Sequence, residues 1–180
     1  MKLINELLPG CFVLEPKKFE DERGCFVKTY HEGMCAALGV NLEICEEFYS
    51  ISHKNVVRGM HFQLPPHAHD KFVYCTRGAV KDVMLDLRRG ENYGNVVTTE
   101  LSGENGHILF IPKGVAHGFL ALTDETLMIY KTSNVHAPES DCGIGWDGFG
   151  FNWGIDKPII SARDQQHIAF SDFVSPFHKD

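Results

Sequence analysis

The chain has 180 residues, 43% of them hydrophobic, and a formal net charge of −7. This is enough apolar material for one compact domain with a substantial core, so we expect a single domain over residues 1–180. The acidic balance argues against a nucleic-acid partner or an anionic membrane surface, because both need clustered Lys and Arg.

The first residues predict neither an export signal nor a membrane span. Met1 to Leu8 form a short apolar run that contains Glu6 and ends at Pro9-Gly10. The six cysteines include no CxxC pair and no spacing typical of zinc sites. We therefore expect a cytoplasmic protein with reduced thiols and no membrane partner.

Turn residues recur along the chain at intervals typical of short strands. The β-rich runs between them predict strands over 72–76, 80–87, 108–111 and 127–132. Helices are predicted only over about 31–38 and from near Arg163. Many strands with few, short helices predict an all-β fold of the β-sandwich or jelly-roll type. The glycine-rich and aromatic stretch 143–154 predicts an ordered loop, used for packing or at a dimer edge.

The strand-like run 56–63 contains three polar side chains, those of Arg58, His61 and Gln63. Burying such groups is costly unless they are paired or line a wet pocket. Arg58 and His61 would face opposite sides of a regular strand, but Gly59 allows a bulge that redirects one of them. We expect both to reach one cavity. The alternative for His61 is a structural histidine.

Lys71 opens a predicted strand seven residues before Gly78, where the metal-binding cupin signature E-x6-G has a glutamate ligand. A cation at this place repels a metal, and it can instead stabilise an enolate oxygen. The alternative is a surface lysine. We expect no metal, although His67, His69 and His117 are an alternative set of ligands for a divalent ion.

The segment 106–117 has the spacing G-x5-P-x-G-x2-H of the second cupin signature. Pro112 ends an apolar strand because it cannot donate to a ladder, and Gly114 permits a tight reversal. This arrangement aims His117 inward.

Tyr130 and Asp164 supply the phenol and the carboxylate that a proton-transfer site around His61 would use. A carboxylate on the second nitrogen of a histidine orients it and makes it more basic, and a tyrosine can return a proton from the other side. The alternatives are a core tyrosine and a helix-capping aspartate.

Five stretches of the chain together resemble the dTDP-4-dehydrorhamnose 3,5-epimerase family: 19–26, 57–66, 111–119, 130–132 and 160–164. The resemblance extends over nearly the whole chain. It implies a cupin jelly roll that forms a homodimer and uses no metal or organic cofactor.

The same resemblance implies roles for individual residues. His61 would be the catalytic base, Asp164 its partner, Tyr130 the opposing acid, and Lys71 would lie beside the C4 oxygen. Substrate-binding positions would include Arg23, Phe26, Arg58, Gln63, His117 and Arg163.

These residues suit proton abstraction beside a ketone. The expected activity is epimerisation at C3, and at C5 in the double epimerases, of a nucleotide-diphosphate 4-keto-6-deoxyhexose through an enolate. Such an enzyme would serve deoxysugar synthesis for surface polysaccharides such as lipopolysaccharide O-antigen. The alternatives are a 3,4-ketoisomerase on the same fold, a metal-dependent cupin oxygenase, and a sugar-binding module without turnover.

The chain departs from the family pattern in two places. Lys28, Glu46 and Phe48 replace residues that surround the nucleotide base, and a carboxylate can accept from an exocyclic amine. We therefore expect CDP or GDP to be favoured over dTDP. Nearer the sugar, His136 stands where relatives have a tyrosine and Asp141 replaces a glutamate. Both are expected to contact the substrate and leave inversion at C5 open.

Overall fold

Two antiparallel β-sheets packed face to face form the body of the protein, in a computed structural model that describes residues 1–178. In chain order the strands are β1 (Lys2–Leu8), β2 (Cys11–Glu15), β3 (Lys18–Asp21), β4 (Gly24–Val27), β5 (Glu46–Ser52), β6 (Val57–Gln63), β7 (Lys71–Arg77), β8 (Ala79–Asp86), β9 (Val96–Ser102), β10 (Ile108–Ile111), β11 (Val115–Ala121), β12 (Thr126–Thr132) and β13 (Asp141–Gly143).

The six-stranded sheet has the order β1-β2-β10-β7-β12-β5, and the five-stranded sheet has the order β13-β6-β11-β8-β9. Strands β3 and β4 form a separate hairpin. This arrangement confirms the all-β fold of the cupin jelly-roll type. The prediction of one domain over residues 1–180 stays a prediction.

Helical structure is short. Helix α1 spans Glu32–Ala36, and two 3-10 turns cover Asp164–Gln166 and Phe170–Asp172. The helix predicted near 31–38 is therefore present but shorter. Within residues 1–178, none of the helices is long and apolar enough to cross a membrane. All six cysteines are free.

Apolar side chains are buried on both faces of each sheet. In β7, Val73 belongs to the cluster between the sheets, whereas its neighbours Phe72 and Tyr74 pack with Cys35 of α1 on the outside. Successive side chains of a strand point to opposite faces, so one strand serves two cores. The outer face of the five-stranded sheet is covered by the C-terminal third of the chain, including Trp153, Phe173 and Phe177.

The glycine-rich aromatic loop belongs to this outer cover. Trp153 is buried, and its indole Nε1 donates to the carbonyl of Trp146 at 2.8 Å. Phe149 and Phe151 pack against the same cluster. The loop therefore serves packing, and with the outer faces covered, the space between the sheets is left as the place for a cavity.

Candidate active site

A bulge in β6 positions the first two polar residues of the site. His61 pairs with His117 of β11, and Arg58 pairs with Phe119, so Gly118 lies opposite two residues of β6. The extra residue shifts the alternation of side chains. Arg58 and His61 consequently face the same cavity, as expected from the glycine between them.

Gly59 is the residue that permits this bulge. Its φ of 135° lies in the region that side chains rarely adopt, and a Cβ there would come 2.5 Å from the Cα of Gly118. The two backbones therefore approach each other more closely than any other residue would allow at this position.

The cavity has a volume of about 440 Å³ and lies between the sheets, reached by residues of β5, β6, β7, β11 and β12. Its walls combine aromatic rings with titratable groups. Among the residues singled out from the sequence, those that line it are His61, Tyr130, Lys71, Glu46, Phe48, Arg58, Gln63, His117, His136, Asp141 and Arg163.

His61 and Asp164 form a hydrogen-bonded pair, with 3.0 Å between Nε2 and Oδ1. The other carboxylate oxygen of Asp164 accepts the backbone N–H of Gly59 at 3.2 Å. Burial alone would raise the pKa of Asp164, but the hydrogen bonds from His61 and Gly59 hold it at about 2. The ionised carboxylate accepts Nε2–H of His61, which leaves the Nδ1 lone pair free as a base.

Tyr130 supplies a phenol to the wall of the same cavity. Its ring stacks on Phe48 of β5, with 4.8 Å between centroids, and lies 6.1 Å from the ring of His117. Burial raises the pKa of the Tyr130 phenol, so the group stays protonated at neutral pH and can donate.

Lys71 is buried rather than at the surface. Its Nζ donates to the backbone carbonyl of His61 at 2.8 Å, which fixes the amine beside the base. Burial lowers the pKa of Lys71 to about 8, so its charged form predominates at neutral pH.

His117 belongs to a second His–Asp pair. Its Nε2 lies 2.9 and 3.0 Å from the two carboxylate oxygens of Asp82, and both residues are buried. Burial raises the pKa of Asp82. Asp82 could not be recognised from the sequence, because it alternates with apolar residues in β8 and alternation does not say which face is inside.

Side chains around the cavity rim are held by contacts within the chain. Arg58 donates to the hydroxyl of Ser52 at 3.1 Å, and Arg163 pairs with Asp141 at 2.5 Å. The amide of Gln63 is engaged on both sides: its oxygen accepts from the backbone N–H of Ala137, and its nitrogen contacts the His67 and Val135 carbonyls and the His69 ring.

Three of the expected binding residues do not line this cavity. Arg23 and Phe26 are exposed on the β3–β4 hairpin, and Lys28 is exposed just after it. Arg23 pairs with Asp21 of the same hairpin at 2.5 Å. In the described part of a single chain, these groups therefore lie apart from His61 and Tyr130.

The alternative metal set is not assembled. His67 Nδ1 contacts the hydroxyl of Ser140 at 2.8 Å, and His69 Nδ1 contacts the amide nitrogen of Gln63 at 3.0 Å. His117 is occupied by its own carboxylate. Within residues 1–178 these three imidazoles do not converge on a common point.

Comparison with known proteins places the chain in a family. The family model described as dTDP-4-dehydrorhamnose 3,5-epimerase matches residues 5–172. The enzyme of that name from Escherichia coli strain K12 is 39% identical over 181 residues, which cover 97% of this chain and 97% of the relative.

Solved structures of similar proteins point to the same family. The 3,5-epimerase from Bacillus anthracis, with TDP and PPi bound, superposes with a TM-score of 0.92 at 31% identity and covers 94% of this chain and 99% of that one. An epimerase from Legionella pneumophila in complex with dTDP-4-keto-L-rhamnose gives a TM-score of 0.93 at 29% identity, covering 99% of each chain.

The expectation that CDP or GDP is favoured over dTDP is wrong. The relatives are named for a dTDP sugar, and two of the similar structures hold TDP or a dTDP sugar. Within the described residues of a single chain, Lys28 and Glu46 do not come together to form a base pocket. Lys28 is exposed, and the carboxylate of Glu46 accepts the chain's own His136 N–H at 2.6 Å. By sequence and by fold, the chain belongs to the dTDP-4-dehydrorhamnose 3,5-epimerase family.

Proposed function

We propose that the protein inverts C3 and C5 of a dTDP-4-keto-6-deoxyhexose by removing a proton beside the C4 ketone and returning one from the opposite side. The observation that carries this proposal is the arrangement of His61 and Tyr130 on the walls of one cavity, with Asp164 hydrogen-bonded to the imidazole. A base and an acid in a shared cavity are what an inversion through an enolate requires.

His61 takes the proton. Nδ1 abstracts hydrogen from C3 or C5, both of which are acidified by the neighbouring carbonyl, and the C–H electron pair moves into the enolate. The ionised Asp164, at 3.0 Å from Nε2, stabilises the imidazolium that results. The backbone N–H of Gly59 keeps that carboxylate in place.

Lys71 and Tyr130 complete the reaction. The Lys71 ammonium stabilises the negative charge that develops on the C4 oxygen, in a buried site where electrostatic interactions are stronger than in water. Tyr130 then gives its proton to the other side of the carbon, and inversion follows. No redox cofactor is needed because no electrons are gained or lost overall.

The remaining cavity residues bind the substrate in this proposal. Arg58, His117 and Arg163 are the nearby groups that can contact sugar hydroxyls or the diphosphate. Gln63, Glu46 and Phe48, together with His136 and Asp141, shape the walls.

We also propose a homodimer. Strands β1 and β5 are the edges of the six-stranded sheet, and they expose Leu3, Ile4, Tyr49 and Ile51. Exposed apolar edges of this kind are typical of interfaces. A second copy would bring Arg23, Phe26 and Lys28 of its hairpin within reach of a cavity they do not line in a single chain.

The cellular setting is proposed on similar grounds. Exposed free thiols at Cys25 and Cys45 suit a reducing compartment, so we place the enzyme in the cytoplasm. There it would act in deoxysugar synthesis for surface polysaccharide.

Incubation with a dTDP-4-keto-6-deoxyhexose in D2O, followed by NMR, tests the proposal. Deuterium is expected at both C3 and C5 of inverted product. Deuterium at C3 alone would show that the enzyme is a 3-epimerase and would overturn inversion at C5. No deuterium at either carbon would overturn the whole proposal.

Tyr130→Phe separates the two proton transfers. His61 still removes hydrogen and exchanges it with solvent, so deuterium enters, but inverted product falls at least about a hundredfold. Tyr93→Phe is the matched control, because that phenol lies outside the cavity and donates to the Phe173 carbonyl at 3.3 Å. Inversion at the normal rate in Tyr130→Phe would remove Tyr130 from the mechanism.

A further inference from the structure

A second imidazole lies behind the proposed base and has no role in the mechanism above. His167 Nε2 is buried and has no hydrogen-bond partner in the described part of the chain. It lies 3.6 Å from Oδ1 of Asp164, and the ring is 5.6 Å from that of His61. A buried polar nitrogen without a partner is unusual and calls for an explanation.

The ring of His167 has room only because residue 143 is a glycine. A Cβ at Gly143, which pairs with His61 across β6 and β13, would come 2.5 Å from Nε2 of His167. Almost any other residue at position 143 would therefore exclude the His167 ring from this place, where its Nε2 is 3.6 Å from Oδ1 of Asp164.

The three groups have the spacing of metal ligands. His61 Nε2, Asp164 Oδ1 and His167 Nε2 all lie within 4.8 Å of one another. Around tetrahedral zinc, with bonds of about 2.0–2.1 Å, neighbouring ligand atoms are about 3.3 Å apart. The two nitrogen-to-oxygen distances, 3.0 and 3.6 Å, lie on either side of that value.

We propose that His61, Asp164 and His167 form a binding site for one divalent transition-metal ion, such as Zn²⁺ or Co²⁺, and that the bound ion inhibits epimerisation. Two imidazoles and a carboxylate suit these ions, whereas Mg²⁺ and Ca²⁺ prefer all-oxygen sites. The inhibitory effect, unlike the site itself, rests on the proposed function.

Access and charge are consistent with the site. The His61 side chain is 31% exposed at the cavity, so an ion would approach from that side, whereas Asp164 and His167 are 5% and 12% exposed. A water molecule entering from the same side would supply the fourth ligand. Of the nearby cations, Arg163 is paired with Asp141, and the Lys71 amine is held on the carbonyl of His61.

Inhibition follows from which atoms the ion would take. A metal on Nε2 of His61 draws electron density from the ring and removes Asp164 from its hydrogen bond. Because the ion takes the lone pair of Nε2, the hydrogen of the neutral imidazole moves to Nδ1. Nδ1 then has no lone pair for a further proton, so proton abstraction stops while the substrate pocket stays intact.

Titration of chelator-treated, dialysed protein with Co²⁺ tests the site without any substrate. We expect the wild type to bind one equivalent, with the visible absorption of tetrahedral Co²⁺. His167→Ala should weaken binding at least about tenfold, since even loss of an outer-shell partner costs that much. His53→Ala, which removes an exposed histidine, is the matched control.

His167→Phe fills the same space without a ligand atom, and it guards against misfolding of the alanine variant. Absence of Co²⁺ binding, or equal binding by the wild type and both His167 variants, would overturn the site.

The activity measurement is separate. In both His167 variants turnover should match the wild type without metal, and a Zn²⁺ concentration that inhibits the wild type tenfold should leave them active. Full turnover of the metal-loaded wild type would overturn the inhibition. Co²⁺ binding by a protein that turns over no dTDP sugar would instead refute the proposed function and leave the site standing.

Discussion

Two His–Asp pairs place their histidines on the wall of one cavity, and the pairs have similar bond lengths but different surroundings. The distance from Nε2 to Oδ1 is 3.0 Å between His61 and Asp164, and it is 2.9 Å between His117 and Asp82. The side chains of the second pair are 4% and 0% exposed, whereas His61 is 31% exposed. The pKa of Asp164 is lowered, and that of Asp82 is raised.

The difference shows that the surroundings, and not the residue types, decide what such a pair does. Asp164 receives a backbone N–H in addition to the imidazole, and its histidine reaches open space. Asp82 is fully desolvated and bonded to His117 on both oxygens. In our proposal the first pair moves a proton, and the second holds the wall of the cavity.

Replacing each of the two histidines by asparagine should give the largest difference in activity. His61→Asn should lower kcat by between about a hundredfold and ten-thousandfold, because the carboxamide cannot accept the proton. His117→Asn keeps a donor for Asp82 and should lower kcat less than about tenfold, with its main effect on KM. Steady-state kinetics with the dTDP sugar measures both. Equal losses of kcat would contradict the division of roles.

Neutralising each of the two carboxylates should lower kcat to a different extent. Asp164→Asn should lower kcat about a hundredfold, because the imidazolium loses its counter-charge, while Asp82→Asn should lower it less than about tenfold. Their effects on stability also differ in sign. A lowered pKa means that ionised Asp164 stabilises the fold above its unfolded value, and this stability is lost as pH falls toward about 2.

For Asp82 the dependence of stability on pH has the opposite sign. Its raised pKa means that the wild type loses stability as pH rises through that value. At pH 7 we therefore expect Asp82→Asn to melt above the wild type and Asp164→Asn below it. Thermal unfolding at about pH 4 and pH 7 checks both signs, and the advantage of Asp82→Asn should shrink at the lower pH. A shift of the same sign for both variants would refute this account.

The smallest effect concerns the cation between the pairs. With a pKa of about 8, Lys71 loses its charge as pH rises, so kcat should fall up to about tenfold per pH unit above that value. Lys71→Arg keeps the charge, and its alkaline decline should move above about pH 9. The pH profiles of kcat for the two proteins provide the measurement. An unchanged alkaline limb would remove Lys71 as the source of the decline.

Local patterns in the sequence predicted strands β6, β7, β8, β10 and β12 and one irregularity of the site. The apolar run 108–111 is β10, and it ends before Pro112 because proline cannot donate to the ladder. The bulge at Gly59 was also predictable. Arg58 and His61 are three positions apart, which would place them on opposite faces of a regular strand, yet both are polar and were expected to share one cavity.

Other features depend on contacts between distant segments and leave no local pattern. Asp82 lies in a strand that is buried on both faces, where alternation carries no direction. His167 meets Asp164 only because Gly143 leaves room for the ring. The wrong prediction that CDP or GDP is favoured over dTDP has the same cause. The sequence did not reveal that the Glu46 carboxylate accepts a hydrogen bond from the backbone N–H of His136.

The contact between Gly59 and Gly118 has a consequence for how this enzyme can change. One short piece of backbone both places the His61 imidazole on the cavity wall and supplies the N–H that anchors its carboxylate. In the proposed mechanism, a methyl group at position 59 would thus impair proton transfer by displacing this backbone, although no titratable residue has been replaced. Engineering for new sugars is best confined to the rim of the cavity, where side chains can vary without moving the backbone contact between Gly59 and Gly118.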